Sequence, residues 1–413
     1  MAIKVPKGTR DIFGDDIYYW QELEKILLEV CNLYNVSEMR TPVFEYTELF
    51  ARGIGDTTDV VQKEMYTFKD KGDRSLTLRP EGTSPVVRSY IENSLYAKKL
   101  PAKLFYIISA FRYERPQAGR YRQFHQFGVE YFGATSPVSD AEVISLLNLI
   151  MEKIGLKPSF EINSIGCADC RKDYNLALKD FIKMHLDNLC PNCKNRFEKN
   201  PLRILDCKEE GCRAILKDAP ITLDSLDEEC AVHFTKLKEN LDSLGINYTV
   251  NSKIVRGLDY YTKTVFEVFV DGFNGAVAGG GRYDGLVEEL GGPKTAGIGF
   301  AFGLDRLILA MQKANENLKK PPCKVYIGSF GEAGALKASQ LAFDLRKKGI
   351  VVECDIMDRK VKAQMKYANS IETEYSLIIG ENELETNLAE IKNMQTGENT
   401  KININEIFEF FNK

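Results

Sequence analysis

Apolar positions change period several times along the chain, and each change marks a different kind of element. Ile17, Trp20, Leu23, Leu27, Val30 and Leu33 recur at helical spacing, which predicts an amphipathic helix over 16–34. Val36 to Arg40 follows as extended chain, and Pro42 keeps the residue before it out of helix. A turn at Asp70 to Arg74 precedes a strand at Ser75 to Leu78, and 81–96 reads as helix after Pro80. Residues 104–132, LFYIISAFRYERPQAGRYRQFHQFGVEYF, hold two strand-like runs around a loop containing Arg115, Pro116, Gly119, Arg120 and Arg122. The second run alternates, so Phe124, Gln126, Gly128, Glu130 and Phe132 share one face of a strand. Two polar groups on that face flank a glycine, which predicts open space between them. Gln126 and Glu130 lie about 13 Å apart at a strand's rise per residue. That span suits the two ends of one small polyphosphate or amino-acid ligand. A solvated face of an ordinary amphipathic hairpin is the plainer reading of the alternation alone. Asp140 stands where it could cap a helix carrying Ile144, Leu147 and Met151, and Phe160 to Ile165 reads as a strand.

Residues 167–245 change character: they are Lys-rich, helical in pattern, and read as an insertion within the first domain. Strand sequence resumes at Tyr248 and again from Thr264 to Val270. A glycine-dense stretch, GAVAGGGRYDGL, fills 275–286, and Ala296 to Phe302 leads as a strand into a helix at Gly303 to Lys313. NENLKKPP, 315–322, reads as a linker between a domain over 1–322 and one over 323–413. Beyond it strands at Lys324 to Ser329, Ile350 to Cys354 and Tyr375 to Ile379 alternate with helices at 332–348 and 359–371. This predicts a small α/β domain with a mostly parallel sheet. The hairpins of the first domain point to an antiparallel sheet instead.

Composition narrows the function classes. A chain of 413 residues with 44% hydrophobic content can bury two or three cores. No apolar run reaches the length of a membrane span, and MAIKVPKGTRDIFGDD lacks the apolar stretch of a secretory signal. Ten cysteines in such a chain are expected as reduced thiols in a cytoplasmic protein. The net charge of −4 means that any nucleic-acid contact must come from local basic patches.

Several segments could carry chemistry. Thr77-Leu-Arg-Pro-Glu-Gly-Thr83 ends a strand on a polar loop, where Glu81 could hold an ammonium group and Thr83 add a hydrogen bond. The plainer role for Glu81 is a partner of a helix N-terminus. Arg256-Gly-Leu-Asp-Tyr-Tyr261 packs an arginine fork, a carboxylate and two phenols into six residues, a set suited to phosphate or carboxylate oxygens or to an ordinary solvated strand entry. GGGRYDG at 279–285 matches neither the P-loop nor the dinucleotide fingerprint. Glycines within strands mark close backbone approach or a bulge, and a side-chain-free strand can floor a pocket. Arg306 falls in the first turn of a helix, where an anion is favoured. Cys167-x2-Cys170 and Cys190-x2-Cys193 have the paired spacing of a tetrahedral structural zinc site, with free thiols as the alternative. With three histidines and no G-x-S-x-G, metal–histidine and Ser–His–Asp catalysis are both unexpected. His125 faces away from Gln126 and is expected to pack.

Taken together, these segments resemble one family. FRYERPQAGRYRQFHQFGVE looks like motif 2 of a class II aminoacyl-tRNA synthetase, in the form used by histidyl-tRNA synthetases. TLRPEGT, RGLDYYTKTVFE, GGGRYDGL and GIGFAFGLDR resemble that family's other signatures, and MRTPVFEYTELF resembles motif 1. The resemblance runs from KGTRD near the start to the C-terminal α/β domain. It implies an α+β fold: a six- or seven-stranded antiparallel catalytic sheet flanked by helices, with a helical insertion and a C-terminal α/β anticodon-binding domain. It also implies a homodimer, with L-histidine, ATP with Mg2+, and tRNA(His) as partners. By position, Arg112 and Arg256 match residues on the α-phosphate and Arg306 one near the γ-phosphate. Glu81, Gly82, Thr83, Gln126 and Glu130 match the surroundings of the histidine amino group and its pocket, and Tyr260, Tyr261 and Tyr283 the imidazole side. Arg115, Gln117 and Arg120 lie where the family reads the tRNA's extra 5′ guanosine. Arg359 and Lys360, with Lys362 and Lys366, would form the basic patch for the anticodon. The alternative within this fold is a non-catalytic relative, the regulatory subunit of ATP phosphoribosyltransferase. Such relatives usually lack the C-terminal domain and lose motif residues, and this chain has both.

Overall fold

A computed structural model of the protein describes residues 3–411, apart from 56–57, 118, 200, 206, 208, 255–259, 274, 315–317 and 319–321. The chain separates into two compact units, Met1–Leu318 and Lys319–Lys413.

The first unit is built on an eight-stranded sheet. In spatial order its strands are Ser37–Glu38, Ala102–Phe111, Gln123–Phe132, Gly297–Gly303, Ala278–Arg282, Thr262–Val270, Pro158–Ser164 and Tyr248–Val250. The inner pairings are antiparallel. The two edge strands add parallel, Ser37 beside Leu104 and Phe160 beside Tyr248, which carries the sheet past the six or seven strands expected. Strand alternation then gives the two faces different contents. Phe127, Val129, Ile298, Phe300 and Phe302 enter the larger core. Helices Asp16–Leu33, Pro137–Lys153, Glu228–Ser243 and Leu304–Ala314 supply that core's other side. On the opposite face of Gly297–Gly303, every second residue is Gly297, Gly299, Ala301 or Gly303. That face is nearly bare of side chains, and helix Thr83–Glu92 covers only part of it, through Val86, Val87 and Tyr90.

A small sheet of Phe44–Tyr46, Ser75–Leu78 and Tyr66–Lys69 stands beside this one. Buried Arg79 joins the two. Its guanidinium donates to the carbonyls of Ser109 at 2.8 Å, Thr41 at 2.7 Å and Pro42 at 2.9 Å.

Two expectations change. Asp140 is not a helix cap: Ser136 caps the Pro137–Lys153 helix by accepting from the Val138 amide, with Pro137 in its first turn. Asp140 is instead buried one turn further in, bound by Arg282, by Thr264 at 2.6 Å and by His233 at 2.9 Å. Burial pushes its carboxyl upward, but His233 and Arg282 outweigh that and hold it below its usual value. The insertion is also narrower than 167–245. Phe234, Leu237 and Leu241 of the Glu228–Ser243 helix belong to the main core. A separate small core, including Tyr174, Leu178, Ile182 and Ile204, spans 174–219.

The second unit has strand order Val352–Cys354, Val325–Ser329, Tyr375–Ile379, Leu388–Asn393 and Asn399–Asn403. The first three are parallel, as the alternation of strands and helices predicts. The last two form an antiparallel hairpin outside the predicted elements. Among the described residues, no helix is long and apolar enough to cross a membrane.

Candidate active site

The bare face of the eight-stranded sheet floors two adjoining chambers of about 210 and 220 Å³. Both are lined by Arg112, Gln126, Gly279 and Ala301. Arg112 follows the Ala102–Phe111 strand, and its Nε donates to the Pro80 carbonyl at 2.8 Å while its guanidinium lies over the Phe124 ring.

The first chamber gathers Glu81, Thr83, Gln126, Glu130, Tyr260, Tyr261 and Tyr283, which the sequence singled out from four separate segments. Glu130 accepts from the hydroxyls of Thr83 at 2.7 Å, Tyr106 at 3.3 Å and Tyr283. Burial is the stronger influence and pushes the Glu130 carboxyl up to about 8 against those donors. Burial also raises the phenols of Tyr106, Tyr260 and Tyr283 well above their ordinary value, so all three remain donors at neutral pH. The Tyr260 ring lies 4.6 Å from Tyr261 and 5.6 Å from Tyr283, centre to centre. Gln126 accepts from the Gly82 amide at 2.9 Å. Glu81 combines both roles considered for it: it lines the chamber, and its carboxylate accepts from the Thr83 and Ser84 amides at 2.6 and 2.8 Å, at the start of the Thr83–Glu92 helix.

The expected gap at Gly128 is closed. Gly128 pairs with Tyr106 across the hairpin, and the Tyr106 ring fills the space so tightly that a Cβ on Gly128 would stand 2.2 Å from its hydroxyl. Gly82 meets the other side of the same ring, where a Cβ would stand 2.3 Å away. The open floor lies one and two strands further on, at Gly299 and Gly279. A Cβ on Gly299 would lie 2.0 Å from the Glu130 carboxylate, so the glycines of GIGFAFG give Glu130 its room.

The second chamber is basic and more open. Arg306 stands in the first turn of the Leu304–Ala314 helix, as predicted, and donates to the Ala276 carbonyl at 2.9 Å. Burial and the neighbouring Arg120 lower its pKa. Arg120 pairs with Glu114 at 3.1 Å. The hairpin loop turns where Gln117 and Arg120 exchange backbone hydrogen bonds of 3.0 and 2.9 Å. Arg115 and Gln117 are exposed on it. His125 packs, as expected: its ring meets Trp20 edge-on, and Asp305 accepts from its backbone amide at 2.8 Å. Asp305 also accepts from Arg10 at 3.0 Å, which ties the KGTRD segment to the chamber wall. Arg256 lies in 255–259, outside the described residues.

In the second unit, Lys360, Lys362 and Lys366 are exposed, whereas Arg359 is held by Asp355 at 2.8 Å and lies over the Tyr367 ring. Arg359 and Lys360 precede the Val361–Ser370 helix rather than sitting within it.

The cysteines do not form the single set expected from Cys167, Cys170, Cys190 and Cys193. Cys167 and Cys170 group with Asp227 and Cys230, whereas Cys190 and Cys193 group with Cys207 and Cys212. The spacer between the two pairs is the Ala168–His185 helix, about 27 Å long at its rise per residue, and a straight helix cannot fold its ends together. Its helical pattern, legible in the sequence, was the signal against a shared site.

Tyr106, Gly299 and the Asp140–Arg282–His233 network were not singled out from sequence. Tyr106 sits in an apolar run where nothing marks its hydroxyl. Arg282 stands inside the GGGRYDG segment beside its partner Asp284, but its other partners, the Ala134 carbonyl, Ser139 and Asp140, come from the distant start of the Pro137–Lys153 helix and the residues just before it.

The histidyl-tRNA synthetase family model matches residues 8–168 and 194–307, and an anticodon binding domain model matches 324–413. A histidine–tRNA ligase of Clostridium perfringens is 53% identical over 412 residues, covering 98% of this chain and 99% of that protein. The crystal structure of apo histidyl-tRNA synthetase from S. aureus superposes with a TM-score of 0.85 at 40% identity, covering all of both chains. A Bacillus halodurans chain described as an ATP phosphoribosyltransferase regulatory subunit/histidyl-tRNA synthetase gives 0.67 over 92% of this chain and 98% of that one, at 22% identity, and so shares the fold. With its antiparallel sheet, its two chambers and its C-terminal α/β unit, this chain belongs to the histidyl-tRNA synthetase family.

Proposed function

We propose that this chain is an ATP-dependent histidine–tRNA ligase. It activates L-histidine with ATP to histidyl-adenylate, releasing pyrophosphate, and then transfers histidine to the 3′ end of tRNA(His). The observation that carries this reading is the meeting of a buried, hydrogen-bonding chamber with a basic one at Arg112.

In this reading the imidazole ring enters the first chamber among Tyr260, Tyr261 and Tyr283 and donates to Glu130. Glu81, Thr83 and Gln126 receive the ammonium group; a carboxylate that already accepts two amides keeps lone pairs for a third donor. The carboxylate then points to Arg112. ATP fills the second chamber, with Arg112 on the α-phosphate and Arg306 towards the far phosphates. Arg256 is the third arginine assigned to the α-phosphate, on its position in the motif alone. ATP arrives as its Mg2+ complex, whose ligands come largely from the phosphates; Glu114 and Asp305 are the acids lining that chamber.

The first step is an in-line displacement at the α-phosphorus. One histidine carboxylate oxygen forms the new P–O bond, and pyrophosphate leaves with the electron pair of the bond broken. No general base is required, because the attacking carboxylate is ionised at neutral pH. The arginines orient two anions and offset the charge that grows on the phosphorus.

Arg115, Gln117 and Arg120 extend towards the tRNA 5′ end on the exposed hairpin loop. Arg359 and Lys360 contribute to anticodon reading, beside exposed Phe330, Ile356 and Met357, which offer surfaces for splayed bases. Exposed Val43, Phe44, Tyr46 and Phe68 cluster in and beside the motif 1 segment, an apolar patch suited to a homodimer interface. A cytoplasmic location follows from this role in translation. The catalytic domain ends at Leu318 and the anticodon-binding domain begins at Lys319, four residues before the 322/323 boundary expected from the linker composition.

Histidine-dependent ATP–pyrophosphate exchange by the purified chain tests the first step, and charging of tRNA(His) tests the second. Absence of exchange would overturn the enzyme reading in favour of a regulatory relative.

A further inference from the structure

We propose that Cys190, Cys193, Cys207 and Cys212 bind one structural zinc ion, which staples the small insertion lobe. The four sulfurs lie within 4.8 Å of one another, and Cys190 and Cys207 Sγ are 3.9 Å apart. A tetrahedral zinc with four thiolates at about 2.3 Å requires sulfur–sulfur separations of about 3.8 Å. The set therefore needs only a small adjustment to close around a single ion. All four cysteines are free, and 3.9 Å is far beyond a disulfide bond. The Cys190 backbone amide donates to Cys212 Sγ at 3.2 Å, the kind of hydrogen bond that stabilises a metal-bound thiolate. Four sulfur donors fill a tetrahedral site and leave no position for water, so the role is structural.

The lobe has a reason to need such a link. Beyond the Ala168–His185 helix its elements are a nine-residue helix, a six-residue helix and 3-10 turns of three or four residues. Helices this short are not stable by themselves. Among the described residues the lobe's core holds ten buried side chains, and three of them, Cys193, Cys207 and Cys212, belong to this cluster. Small cores of this kind are usually reinforced by metal or disulfide.

The cluster at Cys167, Cys170, Asp227 and Cys230 makes a weaker case. One Asp227 oxygen already caps the Glu228–Ser243 helix by accepting from the Cys230 amide at 2.7 Å. The other oxygen faces Cys167 Sγ at 3.1 Å.

The test uses the full chain, purified under reducing conditions without chelator. Elemental analysis is expected to find zinc, and the Cys207→Ser/Cys212→Ser double variant to have lost one equivalent per chain. Differential alkylation read by mass spectrometry makes the assignment on the unaltered protein. Cys190, Cys193, Cys207 and Cys212 should be protected with zinc bound and react after chelation, and proteolysis should then cut within the lobe. A zinc content well below one per chain, iron in its place, or equal labelling of the four thiols with and without chelator would overturn the proposal. So would a folded double variant with unchanged zinc.

Discussion

The two chambers that meet at Arg112 are built by opposite means. The first is buried and crowded with hydroxyls, and of its two buried carboxylates, Glu81 and Glu130, the latter is raised to about 8 by lost hydration. The second is half open, and three arginines line it. A dry, hydrogen-bonding pocket penalises a wrong ligand by leaving buried polar groups unpaired. A set of guanidiniums accepts any polyphosphate of suitable reach. In the proposed function, selectivity for histidine therefore belongs to the first chamber and affinity for phosphate to the second, with Arg112 acting for both.

That division can be broken from its centre outwards. Arg112→Ala should lower histidine-dependent pyrophosphate exchange most, by about 10²–10³ in rate, as expected for loss of one preorganised electrostatic donor. Arg112→Lys should recover little of it, since a point charge does not replace the fork. Equal losses from Arg112→Ala and from Arg120→Ala would contradict the shared role of Arg112. Glu130→Gln should cost about 10–100-fold in kcat/KM for histidine, the size of a hydrogen bond to a charged group, with the KM for ATP unchanged. A matching rise in the KM for ATP would show that the chambers are not separable.

Gly128→Ala tests how the first chamber is walled. Its Cβ would press on the Tyr106 hydroxyl, and overpacking of this sort costs about 1–3 kcal/mol. A lower melting temperature together with a raised KM for histidine is expected, because Tyr106 also donates to Glu130.

The pH dependence sharpens the contrast further. In the empty protein, Glu130 titrates near 8, above its ordinary 4.5. The folded chain thus holds a proton that the unfolded chain has lost, so this group's contribution is largest below 4.5 and declines as pH rises towards 8. Thermal melts should show a decline over that interval that is flatter in Glu130→Gln. If histidine donates to an ionised Glu130, its binding releases a proton. Calorimetry in buffers of different ionisation enthalpy should detect that release below 8 and lose it in the variant. The smallest effect belongs to Arg120→Ala. Its side chain is 52% exposed and paired with Glu114, so exchange should change by no more than about five-fold, while charging of tRNA(His) falls further if the loop meets the acceptor end.

The legibility of the site followed the locality of its signals. Alternation in 123–132 was enough to put Gln126 and Glu130 on one face, and helix-start chemistry was enough to place Arg306. Alternation failed at Gly128, because what fills a glycine's space depends on the neighbouring strand, and Tyr106 arrives from across the hairpin. Asp140 failed for a related reason. Its position near a helix start suggested a cap, but Arg282 and His233, 142 and 93 residues away in sequence, claim it inside the core. The cysteine pairs have a familiar local spacing, and the helix between them decides which pairs can meet.

By itself the sequence determined the family, most of the element types, the split into a hairpin-rich domain and an α/β domain, and most of the residues that line the first chamber. These are carried by short-range periodicity and by motifs whose residues lie within one strand or turn. Only the tertiary structure decided which strand contributes the floor, where the open space lies, how Glu130 is raised and which four cysteines share a site. Those properties arise from groups far apart in the chain that become neighbours only when the sheet is assembled. Burial and close packing, unlike periodicity, belong to the assembled neighbourhood and not to any segment of it.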